Sequence, residues 1–193
     1  MNLIDEYEKT YNENLCNNEE EYLDKINKPY KVSGNIFSYF LREKILGIID
    51  NKYELSVVNS YIKGCNVEWD LLMVNNASEN EKKYNIYLPE HVVCAFEFKT
   101  SGSSRSKEPN EAIEYLEKEI NDIKLVNKNY KTNIKYFYIS LCENPNHAIA
   151  MRKKYPNNCF WIIDDYYSRR YKKHSSEESE LKDFILNNLK DNK

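Results

Sequence analysis

The stretch AFEFKTSG, residues 95–102, contains two charged side chains in an otherwise apolar run. The residues that precede them, from Val92 to Phe96, are typical of a buried β-strand, and Glu97 and Lys99 follow with one residue between them. Burying an ion costs several kcal/mol unless the ion finds a partner. The stretch therefore indicates either a structural ion pair or a site for a charged ligand.

A second acidic residue, Asp70, lies in the upstream stretch VEWDLLMV, residues 67–74, which predicts another strand. This strand can pair with the strand at 91–99 through the polar stretch 75–85, which we expect to be a hairpin loop. The pairing would bring Asp70 beside Glu97. Two carboxylates at such a distance repel each other unless a cation lies between them.

Strand alternation predicts which side chains share this site. Glu97 and Lys99 are expected on one face of their strand, with the neighbouring phenylalanines on the other. On the upstream strand, the side chains expected to share one face are Glu68, Asp70 and Leu72.

Oxygen ligands of this kind favour Mg²⁺, with Mn²⁺ as a substitute. Asp70 and Glu97 are the candidate metal ligands, and the backbone carbonyl of Phe98 is a further one. Lys99 can hold an attacking water or help to deprotonate it, while the metal stabilises charge on a scissile phosphate. Glu43, in the helical stretch FLREKIL, is the candidate for an additional carboxylate. The predicted catalytic residues are therefore Asp70, Glu97, Lys99 and Glu43.

The arrangement D-(x)26-E-x-K on two adjacent strands resembles that of the PD-(D/E)XK nuclease superfamily. LPEHVVCAFEFKTSG is similar to the P-x-x-x-V-x-A-x-x-E-x-K stretch of the NucC-type effector nucleases of bacterial anti-phage systems and their relatives, and VEWDLLMV resembles their Q-I-D-hydrophobic strand. The resemblance covers about residues 34–125. It implies a restriction-endonuclease-like core and metal-dependent cleavage of double-stranded DNA, with Asp70, Glu97 and Lys99 at the catalytic positions.

This sequence differs from those NucC-type relatives in two features. Glu68 stands where they usually carry Gln, two residues before the Asp. The region after residue 130 is shorter than in the effectors that a second messenger activates. A restriction-type, a phage-encoded and a recombination-type nuclease therefore stay open as alternatives.

Each candidate residue also has a structural interpretation. Glu97 and Lys99 can form an ion pair on an edge strand, and Asp70 can be a surface acid near a turn. Glu43 can be a solvated helix residue beside its basic neighbours, and Glu68 can be a neighbour of the site rather than a ligand.

Two basic stretches are candidates for contacts with nucleic-acid phosphates. One follows the E-x-K motif in a Ser-rich loop, and the other is YYSRRYKKH at 166–174, where tyrosines alternate with cations. Solvated surface loops are the alternative interpretation of both. The candidate nucleic-acid-binding residues are Arg105, Lys107, Arg169, Arg170, Lys172 and Lys173.

The hydrophobic pattern predicts the elements that position these side chains. Helices are expected at 2–27 with a break near 17–18, at about 35–50, at about 109–128, at 146–155, and in the tail from residue 175. Strands are expected at 53–62, 67–74, 91–99, 134–142 and 159–164. Antiparallel strands come first and βαβ crossovers follow, so we expect an α/β protein whose mixed central β-sheet has helices on both faces.

Length and composition limit the remaining possibilities. The 193 residues suit one domain, with a helical segment at 1–30, a core at 34–165 and a C-terminal helix at 175–193. A net charge of −3 excludes nucleic-acid binding by bulk charge. The five cysteines form no CxxC pair, which argues against a zinc site and a disulfide framework. There is no apolar run of membrane length and no signal peptide, so we expect a cytoplasmic protein.

The sequence thus predicts a Mg²⁺-dependent endonuclease that hydrolyses DNA phosphodiester bonds, in phage defence or restriction, and that assembles as a homo-oligomer, a dimer or a trimer. One alternative is a catalytically silent module on the same fold that binds nucleic acid or another partner. The other is an effector nuclease that a cyclic nucleotide activates.

Overall fold

The computed structural model describes residues 2–16, 29–100, 109–142, 145–163 and 176–190. The helices are α1 (Leu3–Cys16), α2 (Pro29–Ile48), α3 (Glu79–Tyr84), α4 (Pro109–Tyr130), α5 (Pro145–Lys154) and α6 (Glu178–Leu189), with a 3₁₀ turn at Pro89–His91. The strands are β1 (Glu54–Leu55), β2 (Ser60–Ile62), β3 (Glu68–Trp69), β4 (Leu71–Val74), β5 (Ile86–Tyr87), β6 (Val92–Lys99), β7 (Lys135–Cys142) and β8 (Cys159–Ile163).

Five strands form the central sheet in the order β1-β4-β6-β7-β8. β4 pairs antiparallel with both β1 and β6, whereas β6, β7 and β8 run parallel. Helix α4 lies between β6 and β7 in the chain, and α5 lies between β7 and β8. The predicted succession of antiparallel strands and βαβ crossovers is confirmed. A second sheet has three short strands in the order β3-β2-β5.

Helices cover both faces of the central sheet, as the sequence predicts. On one face, Leu3 of α1, Phe37 of α2 and Leu181 of α6 pack with Phe96 and Phe137. The other face has its own core, in which the packed side chains include Leu116 and Ile120 of α4, Met151 of α5, Ala95, Tyr138 and Trp161. Because β6 is buried on both faces, its sequence is almost continuously apolar, and Glu97 is an exception within it.

The strand predicted at 53–62 is two short strands in different sheets. β1 pairs with β4 in the central sheet, whereas β2 pairs with β3 and β5. Asn59 lies between them with a φ of 63°, in the left-handed region that ends an extended run.

The strand predicted at 67–74 is also interrupted, and the interruption is at Asp70. Trp69 of β3 pairs with Ser60 in the small sheet, whereas Leu71 of β4 pairs with Phe96 in the central sheet. Trp69 and Leu72 pack in the same core, so side-chain alternation does not continue through this point. The prediction that Glu68 shares a face with Leu72 is therefore wrong, whereas the register keeps Asp70 and Leu72 on the face of Ala95 and Glu97.

The stretch 75–85 is not a simple hairpin loop, because it contains α3. Ser78 and Glu81 form a capping box, with the Ser78 Oγ accepting from the Glu81 N–H and the Glu81 carboxylate accepting from the Ser78 N–H. Asn85 ends the helix at a left-handed φ of 55°. Helix α2 likewise begins at Pro29 rather than near residue 35, since proline suits the first helical turn.

No helix in the described ranges is both long enough and apolar enough to cross a membrane.

Candidate active site

Asp70, Glu97 and Lys99 meet at the carboxyl end of β6. The antiparallel register pairs Leu71 with Phe96, which brings Asp70 alongside the last residues of β6. The main-chain N–H of Phe98 donates to Oδ2 of Asp70 at 2.6 Å. Asp70 lies at the break between β3 and β4, and there its carboxylate contacts the backbone of β6.

The Glu97 side chain is only 6% exposed, and one of its oxygens accepts two hydrogen bonds. Both the Lys99 ammonium and the Tyr115 hydroxyl donate to Oε1, the latter at 2.9 Å. The Lys99 Nζ also lies 5.6 Å from the centre of the Tyr115 ring. The predicted alternation along β6 is confirmed, because Phe96 packs in the core on the opposite face of the sheet.

Burial and the charge of Glu97 together determine the protonation of Asp70. Burial, followed by the charge of Glu97, raises the pKa of Asp70 to about 7, against the lowering effects of Lys99 and the Phe98 N–H. Asp70 is therefore only partly ionised at neutral pH. Among the described residues, the carboxyl groups of Asp70 and Glu97 therefore share the single ammonium of Lys99.

Lys99 stays protonated in this setting. Burial lowers the pKa of its ammonium, but the carboxylates of Glu97 and Asp70 outweigh that effect and leave the pKa raised above its ordinary value. An ammonium in this state donates hydrogen bonds and does not accept a proton. Of the two predicted roles for Lys99, holding a water fits the structure better than deprotonating one.

Glu119 of α4 is a further acid of the site that the sequence analysis missed. It is 5% exposed, and within the described residues its Oε2 has no hydrogen-bond partner. Burial, then the charges of Glu97 and Asp122, raise its pKa to about 7, and Lys99 lowers it. The missed signal is the spacing of Tyr115 and Glu119, one helical turn apart beside the buried stripe of α4.

Tyr136 of β7 has its phenol buried next to these acids. Burial raises the pKa of Tyr136 well above its ordinary value, and the charges of Glu97 and Glu119 add to the effect. Its hydroxyl has no hydrogen-bond partner in the part of the chain that the structure describes. The buried hydroxyl of Tyr136 and the buried oxygen of Glu119 therefore both lie near Glu97.

Glu43 is placed differently from the other candidates. Its carboxylate is exposed and pairs with Arg42, with Nη1 and Oε1 3.0 Å apart. Arg42 in turn donates from Nε to the carbonyl of Ser56 at 3.3 Å. The auxiliary role of Glu43 stays a prediction.

Glu68 is an exposed neighbour of the site. It accepts a hydrogen bond from the Tyr61 hydroxyl, and its charge makes only a minor contribution to the raised pKa of Asp70. The six candidate nucleic-acid-binding residues lie outside the described residues: Arg105, Lys107, Arg169, Arg170, Lys172 and Lys173.

The donor set fits a hard divalent cation held by two carboxylates. No group of three or more His, Cys, Asp or Glu side chains that could hold a metal occurs within the described ranges. Mg²⁺, however, is usually bound through one or two carboxylates, with waters and substrate phosphate completing its shell. Asp70 and Glu97 each accept the hydrogen bonds above through one oxygen, so each has a second oxygen to offer.

The comparisons with known proteins give two solved structures. One is NucC of E. coli MS115-1 in its cAAA-bound form, with a TM-score of 0.44, 10% identity, and coverage of 75% of this chain and 64% of that chain. The other is NucC of P. aeruginosa ATCC27853, also cAAA-bound, with a TM-score of 0.41, 8% identity, and coverage of 75% and 65%. This chain thus spans slightly less than two thirds of the length of each. No protein-family model and no curated protein matches the chain.

Proposed function

We propose that the protein is a Mg²⁺-dependent endonuclease that hydrolyses phosphodiester bonds in DNA. The observation that carries the proposal is the convergence of Asp70, Glu97 and Lys99 at the carboxyl end of β6, where the buried Glu97 and the half-buried Asp70 lie beside one ammonium. Such a group is expensive to bury unless it binds a ligand. The residue types and the spacing D-(x)26-E-x-K supply the chemistry of phosphodiester hydrolysis.

In this proposal Asp70 and Glu97 hold the cation, with the Phe98 carbonyl as a third oxygen. When bound, a divalent cation lowers the pKa of a water and stabilises negative charge on a phosphate. The chain's own contribution is orientation. The Phe98 N–H fixes the Asp70 carboxylate, and the Tyr115 hydroxyl fixes that of Glu97.

Lys99 supplies positive charge where a phosphate would lie. Because its pKa is raised, it donates hydrogen bonds to an attacking water or to a phosphate oxygen. Because Lys99 is the last residue of β6 and its Nζ lies over the ring of Tyr115, the positions open to its ammonium are restricted.

Contacts to the DNA backbone are assigned to local basic residues, because the chain has a net charge of −3 and the site itself is acidic. Arg105 and Lys107 directly follow the motif strand, and the other candidates are Arg169, Arg170, Lys172 and Lys173. Cutting both strands of a duplex calls for two sites, so the proposal includes a homo-oligomer, a dimer or a trimer.

The test is cleavage of supercoiled plasmid in Mg²⁺ or Mn²⁺, with and without cAAA, the ligand of the two NucC structures. The variants are Glu97→Gln and Lys99→Met, and Glu68→Gln is the matched control because it neutralises a nearby exposed acid. We expect nicked and linear products from wild type, a loss of about a hundredfold or more in both site variants, and a change of no more than about threefold in the control.

Mg²⁺ binding, measured by calorimetry, separates the alternatives. Cleavage only with cAAA would identify a nucleotide-activated effector. Mg²⁺ binding without cleavage under any condition would favour another nucleic acid as substrate. Neither cleavage nor Mg²⁺ binding would reject the proposed function and leave a silent module whose ion pair is structural.

A further inference from the structure

The ammonium of Lys99 interacts with two acids, Glu97 and Glu119. It donates to Oε1 of Glu97, which the Tyr115 hydroxyl also contacts. Glu119 is the other acid, and its charge acts on Lys99 as well. Glu119 has a buried oxygen without a hydrogen-bond partner among the described residues.

The side chain of Tyr115 contacts both Glu97 and Lys99. Lys99 Nζ lies 5.6 Å from the centre of the Tyr115 ring, on which a cation is stabilised. Glu119 follows Tyr115 by one helical turn, so the two side chains are neighbours on the same side of α4. A small rotation of the Lys99 side chain across the ring would move its ammonium from Glu97 towards Glu119.

A divalent cation on Glu97 gives a reason for that movement. The ammonium and the cation are like charges, and they compete for the carboxylate of Glu97. Without a second acceptor, the ammonium would have to leave for solvent, and the site would lose the residue that faces the phosphate. With Glu119 in place, a buried carboxylate gains the donor that it lacks.

We propose that Glu119 is a positioning residue that receives the Lys99 ammonium when a divalent cation occupies Asp70 and Glu97. The proposal rests on the cation site of the proposed function, and Glu119 itself is not a ligand. It explains why an acid is buried next to a site that already has an excess of carboxylates.

The experiment is a double-mutant cycle read by Mg²⁺ affinity in calorimetry on the full chain. The proteins are wild type, Glu119→Gln, Lys99→Met and the double variant, and the control is Asp122→Asn, which neutralises another acid of the same helix. We expect Glu119→Gln to weaken Mg²⁺ binding by about three- to tenfold when Lys99 is present and to change nothing in the Lys99→Met background. We expect Asp122→Asn to leave the affinity within about twofold.

Each other outcome contradicts a defined part of the proposal. If Glu119→Gln weakened Mg²⁺ binding equally in both backgrounds, Glu119 would either bind the cation directly or attract it through its charge alone. Either result would overturn its positioning role. No effect of Glu119→Gln, with Mg²⁺ bound normally by wild type, would also overturn it while the proposed function stands. No Mg²⁺ binding by wild type would reject the cation site itself and this inference with it.

A second measurement needs no substitution at Glu119. Lysine NMR on the wild-type protein follows the Lys99 ammonium, which is assigned by its absence in Lys99→Met, during a Mg²⁺ titration. We expect the resonance to shift and to keep its protection from solvent. Loss of the ammonium signal to solvent exchange on adding Mg²⁺ would overturn the proposal.

Discussion

The main-chain N–H of Phe98 donates to Oδ2 of Asp70 at 2.6 Å, so the strand that carries Glu97 and Lys99 also orients the acid opposite them. Asp70 lies where the chain leaves the small sheet and joins the central one, between β3 and β4. Asp70 therefore separates β3 from β4 and also accepts a hydrogen bond from the backbone of β6. Its two functions, structural acceptor and charge carrier, can be separated by substitution.

Asp70→Asn keeps an oxygen for the Phe98 N–H but removes the charge, whereas Asp70→Ala removes both. We expect Asp70→Asn to abolish Mg²⁺ binding and to fold at least as stably as wild type at pH 8, because the folded site disfavours the ionised form of Asp70. Asp70→Ala should lower the free energy of unfolding by about 1–3 kcal/mol relative to Asp70→Asn, since it leaves a donor unsatisfied. Urea denaturation and calorimetry measure both. Equal stability of the two variants would contradict the structural function of Asp70.

Much of the central sheet follows from the sequence because β6 is so apolar. A run such as VVCAF is typical of a strand buried on both faces, the strands β7 and β8 are similarly apolar, and α4 has a helical hydrophobic period. The mixed sheet with helices on both faces and the separation of Glu97 and Phe96 to opposite faces were predictable for this reason.

The details near Asp70 and Glu119 were not predictable, and the reasons are physical. The stretch VEWDLLMV alternates well enough for one strand, but its two halves pair with different partners, and pairing is a tertiary choice that the local pattern does not contain. Glu119 stands in a helix with many exposed glutamates, and its burial depends on how α4 packs against β6 and β7. Its spacing from Tyr115 is the one local signal, and that spacing alone shows neither the contact of Tyr115 with Glu97 nor the burial of Glu119.

The stability of the metal-free protein should fall as pH rises from about 5 to 8. The folded-state pKa values of Asp70 and Glu119 are about 7, above the ordinary 3.8 and 4.5, so the folded protein holds these protons more tightly than the unfolded chain does. The protons are lost as pH rises through 7, and the free energy of unfolding should decrease by about 2 kcal/mol or more. Chemical denaturation in EDTA across this pH range makes the measurement.

Mg²⁺ gives the control for that pH dependence. If Asp70 and Glu97 bind the cation, saturating Mg²⁺ should raise the melting temperature more at pH 8 than at pH 5, because protons compete with the cation at the lower pH. Asp70→Asn should remove the part of the metal-free pH dependence that Asp70 causes, leave the part that Glu119 causes, and remove the Mg²⁺ effect. A metal-free profile that rises between pH 5 and 8 would contradict the assignment of these two acids.

Glu81 should stabilise the protein with the opposite pH dependence. Its burial raises its pKa, but hydrogen bonds from the N–H groups of Leu88 and Ser78, the Ser78 hydroxyl and His91 outweigh burial and lower the pKa to about 2. The stabilisation is present above pH 4.5 and is lost as pH falls towards 2. We expect Glu81→Gln to cost about 2 kcal/mol in the free energy of unfolding at pH 7, and much less at pH 3.

Glu79→Gln is the matched control for Glu81, because it changes an exposed acid of the same helix. It should leave stability within about 0.5 kcal/mol of wild type. Helix α3 lies in the connection that sets β4 against β6, so Glu81→Gln should also lower cleavage in proportion to the unfolded fraction and not beyond it. A cost at pH 3 equal to that at pH 7 would argue against an ionised Glu81.

Tyr115→Phe tests whether the hydroxyl that contacts Glu97 contributes energetically as the structure shows. The substitution removes the O–H donor to Oε1 and keeps the ring beside Lys99. A hydrogen bond to an ionised acceptor contributes about 1.5–3 kcal/mol when buried, and the partial exposure of Tyr115 reduces this to about 1 kcal/mol. A double-mutant cycle of Tyr115→Phe with Glu97→Leu, measured by urea denaturation at pH 8, isolates that coupling from the loss of either side chain alone. Since the hydroxyl can act only through Glu97, Tyr115→Phe should be nearly neutral in the Glu97→Leu background. If the two substitutions are additive within about 0.3 kcal/mol, Tyr115 does not hold Glu97 in place, and Lys99 alone orients the carboxylate.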